Sequence, residues 1–345
     1  MIANIRLWAG AVLGVTAALG LGMTMPASAA TPSLAGPHFS FTGKRPTFHE
    51  DNIDGIEVVV SGRESEGNMS LIESWWTPAF AVRPHYHTQH AETFYVISGQ
   101  VEWNIGGEIH VLNAGDLVHI PANVTHSVKV VGKEKMHSLM FYQGGGYEEA
   151  VAAEAALTPK QKKDPKIQAL LTTLTDFHPV DAVTAPPPTA AGQPRKGVPV
   201  FSFRGKRSGF TEGNVENVEI ALSSVQSEGR LSIIESNWLP AFTAPPHYHA
   251  THHEAFYVLS GQVEWTVGGE THVLKQGDAV HIPPDILHSV KVVGNEKLHT
   301  LWIGAPGGLD ENPARSAGLS AEQQKDPAIQ KLLMSTGDFH MMGAP

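Results

Sequence analysis

The sequence predicts an all-β chain with short flanking helices, folded as two small antiparallel barrels in tandem. Three observations carry this prediction. The 345-residue chain repeats itself at an offset of 162 residues. Each copy is a series of short apolar runs separated by turn residues. Glycine (34) and proline (24) are numerous enough to build those turns. Hydrophobic residues make up 41% of the chain, so each half can bury its own core.

At the N-terminus, Arg6, the apolar stretch Leu7 to Met23 and the small residues Pro26-Ala27-Ser28-Ala29-Ala30 read as a secretory signal peptide over 1–30, cleaved after Ala29 or Ala30. The expected location is therefore secreted or periplasmic, with no membrane contact after cleavage. The formal charge is −10, becoming −11 once Arg6 is removed, and there is no basic stretch. That argues against nucleic acid and anionic membrane as partners. There is no cysteine, so neither a disulfide framework nor a thiolate ligand is available to an exported chain. Any metal site must use His, Asp or Glu, and 19 histidines are present.

The repeat defines the domains. Phe39-Ser40-Phe41 recurs as Phe201-Ser202-Phe203, Asp164-Pro165 as Asp326-Pro327, and Asp176-Phe177-His178 as Asp338-Phe339-His340. The register holds without a gap, as expected of a duplicated domain. Residues 31–178 form the first domain and 199–345 the second. The segment 179–198, with Ala185-Pro186-Pro187-Pro188-Thr189, reads as a stiff Pro-rich linker.

Within the first copy, Phe94 to Ile97 and Gln100 to Ile105 flank Ser98-Gly99, a strand-turn-strand signal. Gly106-Gly107 and Asn113-Ala114-Gly115-Asp116 turn the chain into strands at 109–112 and 117–120. Further strands are expected at 126–131 and 135–142, and the second copy repeats the series. Each copy closes with a helix, over 164–174 and 326–334, opened by Asp-Pro as N-cap and first helical residue. Ile167, Leu170 and Leu171 are spaced to form an apolar face against the barrel.

The histidines fall in a pattern. Copy one has His85-Tyr86-His87, then Glu92, then His126; copy two has His247-Tyr248-His249, Glu254 and His288. A His-x-His pair on a strand points both rings to one face. Glu92 follows His87 by five residues, so a turn at Thr88–Ala91 is needed to bring it to the same interior. Three neutral imidazoles and one carboxylate suit a borderline divalent ion: Mn, Fe, Co, Ni or Cu, one per domain. The other histidines, His90, His119, His137, His252, His253, His281 and His299, read as satisfied or solvated. Trp103, Trp265, Phe94 and Phe256 read as core.

The spacing His-x-His-x4-Glu-x6-Gly followed by Gly-x5-Pro-x4-His resembles the two motifs of the cupin superfamily. The implied fold is a pair of cupin barrels, the double-stranded β-helix or jelly roll. The second motif usually carries Gly two residues after its Pro, where this chain has Asn123 and Asp285. Both tolerate left-handed backbone. The run His85 to Gln100 and the run Gly115 to Ser127 are similar to the bicupin flavonol dioxygenases, the quercetin 2,3-dioxygenases. The resemblance implies metal ligands His85, His87, Glu92, His126, His247, His249, Glu254 and His288. It implies Glu92, and Glu254 if the second copy works, as catalytic general base. The implied partners are a small phenolic substrate and O2, with carbon monoxide released on ring opening and no organic cofactor.

Two alternatives stand beside this reading. Oxalate decarboxylases and oxidases are also bicupins, but they need an arginine near the first His pair and tend to have Trp between the histidines. Here Arg83 precedes His85, the second copy has Ala244-Pro245-Pro246, and Tyr lies between the histidines in both. A non-enzymatic metal- or ligand-binding cupin is the third reading. Pairing of sheet edges into a homodimer is left open.

Overall fold

The computed structural model describes residues 36–144, 146–185, 197–207, 209–320 and 322–342. The expected signal peptide, 1–30, and the central part of the expected linker, 186–196, lie outside the described residues.

The fold is predominantly antiparallel β, as expected. Each barrel is a seven-stranded sheet facing a five-stranded sheet. The expected strands appear as Glu92–Ser98, Val101–Ile105, Glu108–Leu112, Leu117–Ile120, His126–Val130 and Met136–Gln143. Gly99 sits between the first two at φ 81°, where a Cβ would lie 2.5 Å from the Lys135 carbonyl oxygen. Only glycine fits that turn.

The sheets do not follow the repeat boundaries. Strand His38–Ser40, in domain 31–178 by sequence, pairs with Ala279–Ile282 of the second barrel. Strand Val200–Ser202, in domain 199–345, pairs with Leu117–Ile120 of the first. Each copy thus completes the other's seven-stranded sheet.

Three apolar cores result. One fills the first barrel around Ile72, Phe94, Trp103, Val118 and Ile120. Another fills the second around Trp238, Phe256, Trp265 and Ile282. The third lies between the barrels, where Met69, Leu71, Tyr95 and Leu117 meet Leu231, Ile233, Tyr257 and Leu301. Period-two alternation explains how one strand serves two cores: Leu117 faces the partner barrel while Val118 and Ile120 face inward.

Buried charges also sit at this junction. Glu73 accepts from Arg45 Nη1 (2.5 Å), His137 Nε2 (2.7 Å) and the hydroxyl of Tyr257 across the barrels (2.8 Å). Glu235 does the same with Arg207 Nη1 (2.6 Å) and His299 Nε2 (2.8 Å), with Tyr95 hydrogen-bonded to it from the first barrel. Charges this deep persist only when paired and hydrogen-bonded.

The closing helices span Pro165–Leu174 and Pro327–Thr336, and the Asp164 and Asp326 carboxylates accept from backbone N–H groups of their first turns. The expected apolar face is narrower than its spacing suggests. Leu171 is buried, but Leu170 is 56% exposed. The helix touches the barrel along one stripe, and Leu170, one residue round the helix, looks outward. A second helix, Tyr147–Ala155, packs on Pro165–Leu174 and has no counterpart among the elements expected from the sequence.

Candidate metal centres

The first candidate centre is assembled at the rim where the two sheets of the first barrel meet. His85 lies on strand Ala81–Tyr86 of the five-stranded sheet, and His87 just beyond its end. Glu92 opens strand Glu92–Ser98 on the seven-stranded sheet, so the chain does turn between His87 and Glu92. His126 opens strand His126–Val130 and pairs directly with His85. One ligand atom from each of His85, His87, Glu92 and His126 lies within 4.8 Å of the others, and all four residues are buried. Asn123 stands at φ 65° and Asp285 at φ 63°, the left-handed conformation expected at the motif's missing glycine. The Asn123 N–H donates to the His87 carbonyl at 2.6 Å and the Asp285 N–H to His249 at 2.7 Å, which ties the two motifs together.

The imidazoles are oriented by the backbone. His85 Nδ1–H donates to the Arg83 carbonyl (2.8 Å), His126 Nδ1–H to Val124 (2.8 Å) and His87 Nδ1–H to Asp176 (2.9 Å). A carbonyl can only accept, so each ring presents an Nε2 lone pair to the interior. The Nε2 atoms of His87, His126, His249 and His288 are buried without a hydrogen-bond partner. Orphaned acceptors converging on a carboxylate fit a divalent cation.

The electrostatics agree. Burial pushes the Glu92 carboxyl up, but positive charge placed at His87 and His126 outweighs that and holds it well below the usual carboxylate range, as a cation held between them also would. Burial, reinforced by His126, brings His85 down to about 3. Burial, reinforced by His288, brings His247 down to about 4. Both rings are neutral at physiological pH, as ligation requires.

The segment after each closing helix clasps the centre. Besides accepting from His87, Asp176 receives the backbone N–H groups of Thr88 (2.7 Å) and Gln89 (2.6 Å) on its carboxylate. Phe177 stacks on His85, with ring centroids 4.2 Å apart. Asp338 and Phe339 repeat this on His249 and His247. The recurrence of Asp-Phe-His in both copies is the sequence signal for this role.

The second centre departs from the first at its carboxylate. His247, His249 and His288 lie within 4.8 Å of one another. Glu254 Oε1 stands 3.1 Å from His249 Nε2 and Oε2 3.1 Å from His288 Nε2. However, Oε1 also accepts a 2.8 Å hydrogen bond from the indole N–H of Trp302. In the first barrel the hydroxyl of Tyr142 bonds Glu92 instead, and burial beside that carboxylate pushes the phenol well above its ordinary value.

The remaining histidines have other partners. His90 lies 3.4 Å from Asp176, and His119 bonds Thr93. His137 and His299 bond Glu73 and Glu235, and His252 bonds Asp338. His253 lies between Asn68 and His281. Trp103, Phe94, Trp265 and Phe256 are core residues, as expected, but Trp103 and Phe94 also wall a cavity over the first centre.

Two cupin barrels in one chain, each carrying the two-motif histidine set, make this protein a bicupin of the cupin superfamily. The cupin domain model matches residues 77–142 and 237–304. Among characterised proteins, quercetin 2,3-dioxygenase of Bacillus subtilis is 24% identical over 274 residues, covering 72% of this chain and 75% of that enzyme. Among solved structures, the oxalate decarboxylase of Lactobacillus farciminis is similar with a TM-score of 0.54 and 18% identity, covering 84% of this chain and 95% of that one. A Bacillus subtilis oxalate decarboxylase variant gives a TM-score of 0.54 at 19% identity, covering 83% and 85%. At such identities the structural likeness speaks for the fold alone.

Proposed function

We propose that the first barrel is a metal-dependent dioxygenase site that opens the heterocyclic ring of a flavonol such as quercetin with O2, releasing carbon monoxide. The observation that carries this reading is the cavity over His85, His87, Glu92 and His126. Its volume is about 240 Å³, and aromatic rings of Trp76, Phe80, Phe94, Trp103, Tyr142 and Tyr147 line it. No lysine or arginine is among its lining residues. Such walls suit a planar, uncharged ring system. A dicarboxylate such as oxalate would need a cationic fork. Arg83, the residue that could have served, is exposed and lies over Phe177, 5.9 Å from the ring centroid.

His85, His87, Glu92 and His126 would hold the ion. Bound there, a divalent metal would supply Lewis acidity to the substrate hydroxyl and a centre at which dioxygen is activated. Glu92 lines the cavity beside the three imidazoles, so it is the carboxylate placed to accept the hydroxyl proton as the flavonol binds. Tyr142 stays protonated and steadies that carboxylate through its hydrogen bond. The aromatic walls hold the ring plane over the ligands and exclude bulk water from the electron-rich anion.

The test is aerobic incubation of protein loaded with Mn, Fe, Co, Ni or Cu, with quercetin and separately with oxalate. Loss of the flavonol absorbance with carbon monoxide release is expected, and Glu92→Gln should slow it by roughly 100-fold or more. Carbon dioxide or peroxide from oxalate, with quercetin untouched, would overturn the proposal. Full activity in Glu92→Gln would remove Glu92 from its assigned role.

A further inference from the structure

The duplication preserves every proposed ligand but not the space above the ligands. Met140, Tyr142 and Tyr147 line the first cavity. At the offset of 162 the second copy has Trp302, Gly304 and Leu309. These three changes act together. A Cβ on Gly304 would lie 2.8 Å from Leu309 Cδ1, so Leu309 fills the space that a larger residue at 304 would need. Trp302 turns inward, parallel to Phe256 with ring centroids 5.9 Å apart, and its N–H reaches Glu254.

The pocket at the mouth of the second barrel reflects this. It is about 210 Å³ and is lined by Trp302, Gln330, Leu333, Met334 and Phe339, among others. Their counterparts Met140, Gln168, Leu171, Thr172 and Phe177 all line the first cavity. The two pockets therefore begin alike. The first continues past Met140 to all four ligand residues, whereas none of His247, His249, Glu254 and His288 lines the second.

We infer that Trp302 is a plug: the second barrel holds its metal as a closed centre, and substrate chemistry is confined to the first. The bulk of the indole separates the vestibule from the ligands, and its N–H bond to Glu254 Oε1 holds the ring in that place. The second centre then contributes to the stability of the barrel rather than to turnover, through preferential binding of metal to the folded state. This inference rests on the reading of the first barrel as the working site, but its test does not require flavonol turnover.

The test uses full-length protein loaded with cobalt(II), with cobalt counted by elemental analysis and azide as the probe of access. His126→Ala leaves the second centre as the complete one, and His288→Ala leaves the first. Azide should change the visible cobalt spectrum of His288→Ala, and bind the cobalt of His126→Ala at least roughly tenfold more weakly. Adding Trp302→Met to His126→Ala should restore the azide response. Conversely, Met140→Trp added to His288→Ala should suppress it, and this second variant tests the plug even if Trp302→Met does not fold. Equal azide affinity at the two centres, no cobalt in His126→Ala, or an undiminished response with Met140→Trp would each overturn the inference. If azide distinguishes the centres while quercetin is not consumed, the plug stands and the flavonol reading falls.

Discussion

The two barrels share their proposed ligands, their backbone-bonded imidazoles and their Asp-Phe clasp, yet differ in what lies above the metal site. In the first barrel a cavity reaches the ligands; in the second, the pocket in the same place stops at Trp302. The ligands sit at strand ends, where barrel closure fixes them. Access is set by a few side chains on strand Met136–Gln143 and helix Tyr147–Ala155 and their counterparts. Positions of the second kind can change without disturbing the first, so duplicated metal sites can keep their coordination chemistry while one of them loses its substrate chamber.

The two barrels should behave alike at their junction. Glu73 and Glu235 hold equivalent networks at the barrel junction. Replacing either by Ala takes the nearer carboxylate from a buried arginine, leaving Glu57 at 3.5 Å from Arg45 or Glu219 at 3.6 Å from Arg207, and each should cost about 3 kcal/mol of unfolding free energy. Denaturant titration measures this. A large inequality between the two variants would show that the junction is not symmetric in energy.

A smaller effect is expected at the clasp. Asp176→Ala should weaken metal binding in the first barrel, and Asp338→Ala in the second, by about tenfold each. Metal competition with a chelator, done in proteins retaining one complete centre, reads them separately. Loss of activity should follow Asp176→Ala much more than Asp338→Ala. The reverse pattern would move the chemistry to the second barrel.

The smallest effect belongs to one barrel. Burial, with Glu154 next to it, raises Glu50 from 4.5 to about 7. The second copy has Ser316 where Glu154 stands. An acid with a raised pKa keeps its proton longer when folded than when unfolded. Stability contributed by that proton is present below pH 4.5 and is lost as the pH rises to about 7. Thermal melts across this window should fall less steeply in Glu50→Gln than in the parent. An identical slope would show that Glu50 does not titrate there.

Much of this molecule is legible in one dimension. Period-two alternation around Gly99 and Gly115 marks the hairpins, and Asp164-Pro165 marks the helix start. The His-x-His spacing and the repeat make the proposed ligand set visible because both depend on local geometry. The outward turn of Leu170 is not legible, since helical spacing gives the direction of a face but not the width of the contact. Tyr142 and Tyr147 also escape a reading by motif. The signal for them is a break in the repeat: tyrosines at 142 and 147 against Gly304 and Leu309.

The duplicated β architecture and the eight residues proposed to hold metal are legible in the order of residues alone, because strand period, turn residues, motif spacing and the 162-residue repeat are properties of that order. The exchange of strands His38–Ser40 and Val200–Ser202 was decided only in three dimensions. So was the contrast between an open and a plugged metal site. Pairing partners and cavity volume depend on residues far apart in the chain filling one space, and no local period records which side chain arrives there first.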